Sequence, residues 1–285
     1  MLKSKIKKIL YRYTGIENTI KEKDILNNNC LSLLSENSVC IYTLMKSGTT
    51  YTILFLSNYI NFVYGDKKPV NFDSANKQFC IHGIETKILL PNIGELKKNN
   101  KISTLLPSYN LIFSTHQFIK NNIAKKIVCL QRNPLDILIS RYYYFYLKRG
   151  IKLSHPRELI KTILPQIAWH ISKQNEIYKK DKENVLIIAY EDLITDPKKT
   201  FIKLIDFLNL NFVQEGLDFA IENSSKKKVI EMEKERGEAI VKKDGIQFEG
   251  SFIRSGEIGE WKKYFNENDI NLIKKELEKF NLSIP

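Results

Sequence analysis

The sequence is short of cysteine, and what it has is scattered. Its four cysteines, Cys30, Cys40, Cys80 and Cys129, include no C-x-x-C pair among 285 residues. That argues against a disulfide framework or a zinc ribbon and fits a reducing compartment. No run approaches the roughly 20 apolar residues of a membrane span. No internal repeat and no long low-complexity tract is present. No H-x-E, H-E-x-x-H or Asp-rich pattern supports a metal site, so none is expected. The Walker A order G-x-x-x-x-G-K-[ST] is also missing, which weighs against an ATPase or GTPase.

What is present is ordinary globular composition: 43% hydrophobic, 11% aromatic and 27% charged. This excludes a wholly disordered or collagen-like chain, and residues 1–285 are expected to form a single domain. Two small domains are not required. The net charge is +13, from 45 Lys+Arg against 32 Asp+Glu. The excess points either to an anionic partner or to a compositional bias toward Lys. Residues 1–30 are expected to be a helical extension. Within it, Met1 to Tyr13 is basic, with apolar residues at Leu2, Ile6, Ile9 and Leu10. This stretch lacks the 7–15-residue apolar core of a secretory signal. It reads as a short amphipathic helix, either solvated or resting on a membrane surface, and the location expected is cytoplasmic.

Apolar, β-branched runs predict strands at Ser38–Leu44, Asn110–Ser114, Lys125–Leu130 and Asn184–Ala189. Helical spacing predicts helices over Tyr51–Tyr64, from Leu135 into Tyr142–Tyr146, over 157–180, over Lys198–Leu208 and over Asn268–Phe280. The last is capped by Asn266 or Asn268. Pro69, Pro91 and Pro107 break residues 65–108 into loops with a short helix. Residues 223–250, rich in charge with Gly237, Gly245 and Gly250, read as a mobile segment.

Strands alternating with helices predict an α/β fold with a central parallel sheet covered on both faces. Ligands of such sheets lie at the carboxyl ends of the strands. Lys46, His116, Arg132 and Tyr190 each follow a predicted strand. Lys46-Ser47-Gly48-Thr49-Thr50 places a cation, a glycine and hydroxyls at a helix N-terminus, where unpaired N–H groups favour phosphate or sulfate. A plain strand-to-helix turn would show the same pattern. Arg132 can fork a phosphate, with Ser140 two turns further along; Arg141 could compete for that role, and Asp136 could simply be the arginine's counter-ion. His116 can take a proton near neutral pH or be structural. His82, His155 and His170 sit in less telling contexts. Arg254-Ser255-Gly256-x-x-Gly259-x-Trp261-Lys262 suggests a loop folding over an anion and a planar ring, or a turn anchored by Trp261. The aromatic run Tyr142–Tyr146 reads as core packing, so a nucleic-acid partner is not expected.

Together these segments resemble the sulfotransferases that use 3′-phosphoadenosine 5′-phosphosulfate (PAPS). Lys46-Ser47-Gly48-Thr49-Thr50-Tyr51 resembles the family's 5′-phosphosulfate loop, K-S-G-T-T-W. Arg132-Asn133-Pro134-x-Asp136 with Ser140 resembles its 3′-phosphate segment. Tyr190-Glu191-Asp192 and the Arg254 to Lys262 loop match in place and order. The resemblance implies a P-loop-like three-layer fold and sulfuryl transfer to a hydroxyl or amine of a small-molecule or saccharide acceptor. By that resemblance Lys46 contacts the bridging oxygen, and Thr49 and Thr50 with the loop backbone hold the 5′-phosphate. Arg132, Ser140, Arg254, Ser255 and Gly256 line the 3′-phosphate. Tyr51, Tyr190 and Ser225 lie near adenine, and residues 223–260 form a mobile donor-binding lid. His116 falls at the general-base position. No metal is implied, and no dimer signature is evident, so the oligomeric state is open. Ser114, Ser255, Tyr51 and Lys226 stand where the family pattern has Lys, Lys, Trp and Phe. The changes at 114 and 255 leave a second reading: a protein that binds the nucleotide or another polyanion without catalysis.

Overall fold

A computed structural model describes residues 38–71, 109, 111–116, 124–147, 153–235 and 254–284. The expected N-terminal extension, most of 65–108 and residues 236–253 lie outside them.

Four strands form one parallel sheet among the described residues: β1 (Ser38–Thr43), β2 (Leu111–Thr115), β3 (Lys126–Gln131) and β4 (Val185–Ala189), in the order β2-β1-β3-β4. All six residues of β1 are buried. A central strand covered on both faces has no polar side, which is why its sequence reads as a continuous apolar run. Strand alternation sends Val39 and Ile41 to one face, where they join a core with Ile53, Phe55, Phe201 and Leu204. Tyr42 points to the other, where its hydroxyl meets His170.

The helices on the first face are α1 (Thr49–Tyr64), α5 (Pro197–Phe207) and α6 (Gln214–Ser224). On the second are α2 (Pro134–Arg141), α3 (Leu164–Lys180) and α8 (Glu267–Glu278). Short α4 (Tyr190–Thr195) follows β4 directly, and α7 (Lys226–Glu235) follows α6. The expected three-layer α/β architecture is therefore observed.

Local chemistry explains several boundaries. Pro134 opens α2 and the Asn133 side chain caps it by accepting the Leu135 N–H. Asp196 caps α5 ahead of Pro197. Asn266, not Asn268, caps α8 through a reciprocal box with Asp269.

Four elements depart from expectation. The helix expected over 157–180 begins at Leu164, after a short 3-10 turn at Pro156–Leu159. The sequence predicted no helix at 214–224, where α6 packs on α1. The charged segment expected to be mobile from 223 is helical over 226–235. The helix through Tyr142 changes register into a π-helix, Tyr142–Leu147, a form often found at functional sites. Among the described residues, no helix is long and apolar enough to cross a membrane.

Candidate functional site

The carboxyl ends of β1, β3 and β4 deliver three segments to one place, and Tyr190 is where they meet. Tyr190, 8% exposed, opens α4 straight after β4. Its ring lies 4.2 Å from the Arg132 guanidinium carbon. Its hydroxyl donates to the Gly256 carbonyl at 2.9 Å. A Cβ on Gly48 would sit 2.9 Å from Tyr190 Cδ2, and one on Gly256 3.0 Å from its hydroxyl. Both glycines have positive φ, +99° and +69°. Glycine is required at each for conformation and for space.

The loop after β1 is strained: Lys46, not a glycine, has φ 78°, an arrangement that concentrates at working sites. Its turn is closed by Ser47, whose N–H and hydroxyl both donate to the Leu44 carbonyl, at 3.1 and 2.6 Å. Ser47 therefore builds the loop and does not offer its hydroxyl to a ligand. The helix register leaves the N–H groups of Thr49, Thr50 and Tyr51 without intrahelical acceptors, because Thr52 is the first to bond back, to Gly48. The Lys46 ammonium lies 4.4 Å from the centroid of the Tyr144 ring. Tyr51 packs edge-on to Phe201, with centroids 5.2 Å apart. Burial, with Tyr190 adding to it, pushes its hydroxyl up to about 12.

Arg132 is 7% exposed. It donates to the Lys46 carbonyl at 3.2 Å and the Glu257 carbonyl at 3.0 Å, joining the first loop to the last. Asp136 is not its counter-ion: that carboxylate accepts the N–H groups of Gly259 (2.7 Å) and Trp261 (3.0 Å). Arg132 Nε is buried without a hydrogen-bond partner. An orphaned guanidinium N–H beside a helix N-terminus is what an anion site leaves unfilled, so these residues fit a phosphorylated nucleotide.

The closing loop adds Arg254, stacked 4.0 Å from the centroid of the Tyr143 ring and paired with Glu260 at 2.5 Å. Ser255 donates to the same carboxylate oxygen at 2.8 Å. Burial raises the Glu260 carboxyl, but these hydrogen bonds outweigh it and hold the group below the usual range. Lys226 Nζ reaches the Ser255 carbonyl at 2.8 Å, which ties the α6–α7 junction at Ser225 to this loop. Ser140 sits half-buried on the last turn of α2.

His116, just past β2, approaches the first loop from the side. Its Nδ1 lies 2.8 Å from Thr43 Oγ1 and 3.1 Å from the Thr43 carbonyl. Thr49, a residue expected at the 5′-phosphate, donates its hydroxyl to Thr43 Oγ1 at 2.8 Å. Ser114 is buried in β2 at 2% exposure.

The structure thus brings together the 46–51 loop, Arg132, Tyr190 and the 254–257 loop, with His116 joined through Thr43. Sequence reasoning missed Thr43, Glu260 and the two tyrosines under the cations. The aromatic run is only partly core: Tyr142 is buried, whereas Tyr143 and Tyr144 lie half-buried beneath Arg254 and Lys46. Trp261 does anchor its loop in the second core. Among the described residues, no group of three or more His, Cys, Asp or Glu could hold a metal.

Comparison with known proteins gives consistent matches. The sequence model of the sulfotransferase domain matches residues 36–279. A 3-beta-hydroxysteroid sulfotransferase of Cavia porcellus is 27% identical over 180 residues, which is 60% of this chain and 61% of that protein. An amine sulfotransferase of Oryctolagus cuniculus is 24% identical over 290 residues, 97% of this chain and 93% of that one. A solved retinol dehydratase, in complex with androsterone and the inactive cofactor PAP, shares the fold. Its TM-score is 0.65 at 17% identity, and the match covers 99% of this chain and 96% of that chain.

Proposed function

The chain belongs to the PAPS-dependent sulfotransferase family, and from that premise we propose that it transfers a sulfuryl group from PAPS to a hydroxyl or amine of a small molecule. The observation that carries this reading is Arg132: a buried guanidinium with an orphaned Nε, joining the 46–51 loop to the 254–257 loop over Tyr190.

When bound, PAPS supplies the activated sulfuryl group. The chain's own residues do the rest. Lys46 and the first-turn N–H groups of α1, with the Thr49 and Thr50 hydroxyls, oppose negative charge at the 5′ end of the nucleotide. Arg132 and Arg254, with Ser140, Ser255 and the Gly256 backbone, hold the 3′-phosphate. Tyr51, Tyr190 and Ser225 border the adenine. His116 accepts the proton of the acceptor at Nε2, since Nδ1 faces Thr43. The relatives named for a 3-beta-hydroxysteroid and for amines favour a small acceptor over a saccharide.

The test uses calorimetry with the desulfated nucleotide 3′-phosphoadenosine 5′-phosphate (PAP), then labelled PAPS with a panel of hydroxysteroids and amines. Micromolar binding and label transfer are expected. Lys46→Ala should lower kcat by about 10²–10³-fold, and His116→Ala by about 10²–10⁴-fold. A wild-type chain that does not bind PAP defeats the donor reading; full activity in His116→Ala defeats the base assignment alone.

A further inference from the structure

A line of three side chains runs from the loop to the histidine. Thr49, the first residue of α1, donates to Thr43 Oγ1, and Thr43 Oγ1 lies 2.8 Å from His116 Nδ1. Thr43 is fully buried and Thr49 is 8% exposed, so bulk water competes little for these bonds.

A hydroxyl has one proton to give and two lone pairs. With Thr49 donating to it, Thr43 directs its own proton to Nδ1. The ring is then an acceptor at Nδ1, and a neutral imidazole in that state carries its hydrogen on Nε2. In this tautomer Nε2 cannot take a proton. The Thr43 carbonyl, 3.1 Å from Nδ1, favours the opposite arrangement, because a carbonyl only accepts. In that alternative Nδ1–H donates to the Thr43 oxygens, the Thr43 hydroxyl donates to Thr49, and the Thr49 proton needs a new acceptor. An anionic oxygen held at the start of α1 would be that acceptor.

We propose that Thr49 and Thr43 form a hydroxyl relay through which a nucleotide 5′-phosphate in the loop sets the tautomer of His116, arming Nε2 as a base only when the donor is in place. The inference rests on the donor and base roles given above. The ring gives up its Nε2 proton to water and takes one from water at Nδ1, while Thr43 and Thr49 each keep one hydroxyl proton and only turn it, so the charge does not change. Thr43 and Thr49 are positioning residues, since they act through His116.

The experiment is ¹⁵N NMR of the full chain labelled at histidine, with and without saturating PAP. A His116→Gln spectrum identifies the His116 signals among the four histidines. The expected result is protonated Nε2 without nucleotide and protonated Nδ1 with it. Thr43→Ser should preserve the change. Thr43→Val and Thr49→Val should abolish it while calorimetry still detects PAP. In kinetics, Thr43→Val should lower kcat by about 10-fold or more, with the donor KM moving less than about 3-fold, and Thr43→Ser should restore it. A wild-type tautomer that is the same with and without bound PAP overturns the relay and leaves the donor reading intact. So does a Thr43→Val chain that switches like wild type. Loss of PAP binding in wild type overturns both readings. Full activity in His116→Ala overturns the base assignment and, with it, the arming role proposed for the relay, while leaving the donor reading intact.

Discussion

Arg132 does two things at once: it pairs two carbonyls from distant loops and covers one face of Tyr190. Lysine keeps the charge but loses the planar fork and the stacking. A hydrogen bond to a charged group contributes about 1.5–3 kcal/mol, so Arg132→Lys should weaken PAP binding by about 10–100-fold in calorimetry. Unchanged affinity would remove Arg132 from the site. His170, 7% exposed with its Nδ1 2.6 Å from the Tyr42 hydroxyl, makes a different residue-level prediction. Burial, then the neighbouring Arg141 guanidinium and His116 ring, push it down to about 3. An unfolded histidine titrates near 6.5, so below that pH the unfolded chain binds a proton that the folded chain refuses. The stability is therefore complete above pH 6.5 and drains away as pH falls toward 3. At about 1.4 kcal/mol per unit, roughly 2 kcal/mol is lost by pH 5. Urea midpoints at pH 7, 6 and 5 should fall accordingly, and His170→Gln should flatten the slope relative to wild type.

At the scale of elements, the closing loop is held to α2 by one carboxylate. Asp136 accepts two backbone N–H groups, from Gly259 and Trp261. An asparagine offers a single oxygen there and turns an NH₂ toward the other donor. Leaving one buried donor unpaired costs about 1–3 kcal/mol. Asp136→Asn should lower the thermal midpoint by a corresponding amount and weaken PAP binding about 10-fold, because Arg254 and Gly256 ride on that loop. Normal stability and affinity in this variant would mean that the loop is held elsewhere. The same scale separates what was legible in the sequence from what was not. The strands were legible to within a residue at each end, because a parallel strand buried on both faces leaves an unbroken apolar run. Lys46, His116, Arg132 and Tyr190 were legible as candidates because topology alone puts residues after parallel strands on one edge. Helix α6 was not. Its buried face is Gly216, Leu217, Ala220 and Ser224, and small residues that allow close approach carry little hydrophobic periodicity. A Cβ on Gly216 would already meet Phe62 at 3.0 Å. Thr43 escaped notice because its partner lies 73 residues away, a tertiary relation that no local pattern records. Glu260 reads locally as one more charge in a polar loop, and its hold on Arg254 and Ser255 appears only once that loop is folded.

At the scale of the whole molecule, one sheet serves two cores. Phe55 of α1 stacks on Phe201 of α5 on the first face, with centroids 3.5 Å apart. Leu138 of α2 is fully buried on the second. Among the described residues, the sheet is the surface on which each layer of helices buries its apolar side, and stripping either one exposes the strands that support the other. This favours one cooperative unit, with the site at its sheet edge unable to outlast either layer. Phe55→Ala should cost about 3–5 kcal/mol and Leu138→Ala about 2–5 kcal/mol. Both should shift the same single urea transition, with far-UV and near-UV circular dichroism coincident in each variant. PAP at 100 times its dissociation constant should recover about 2.7 kcal/mol in either variant, because it binds only the native state. Two separable transitions, one moved by Phe55→Ala and the other by Leu138→Ala, would instead mean that the two layers fold as independent units and that the single-domain account is wrong.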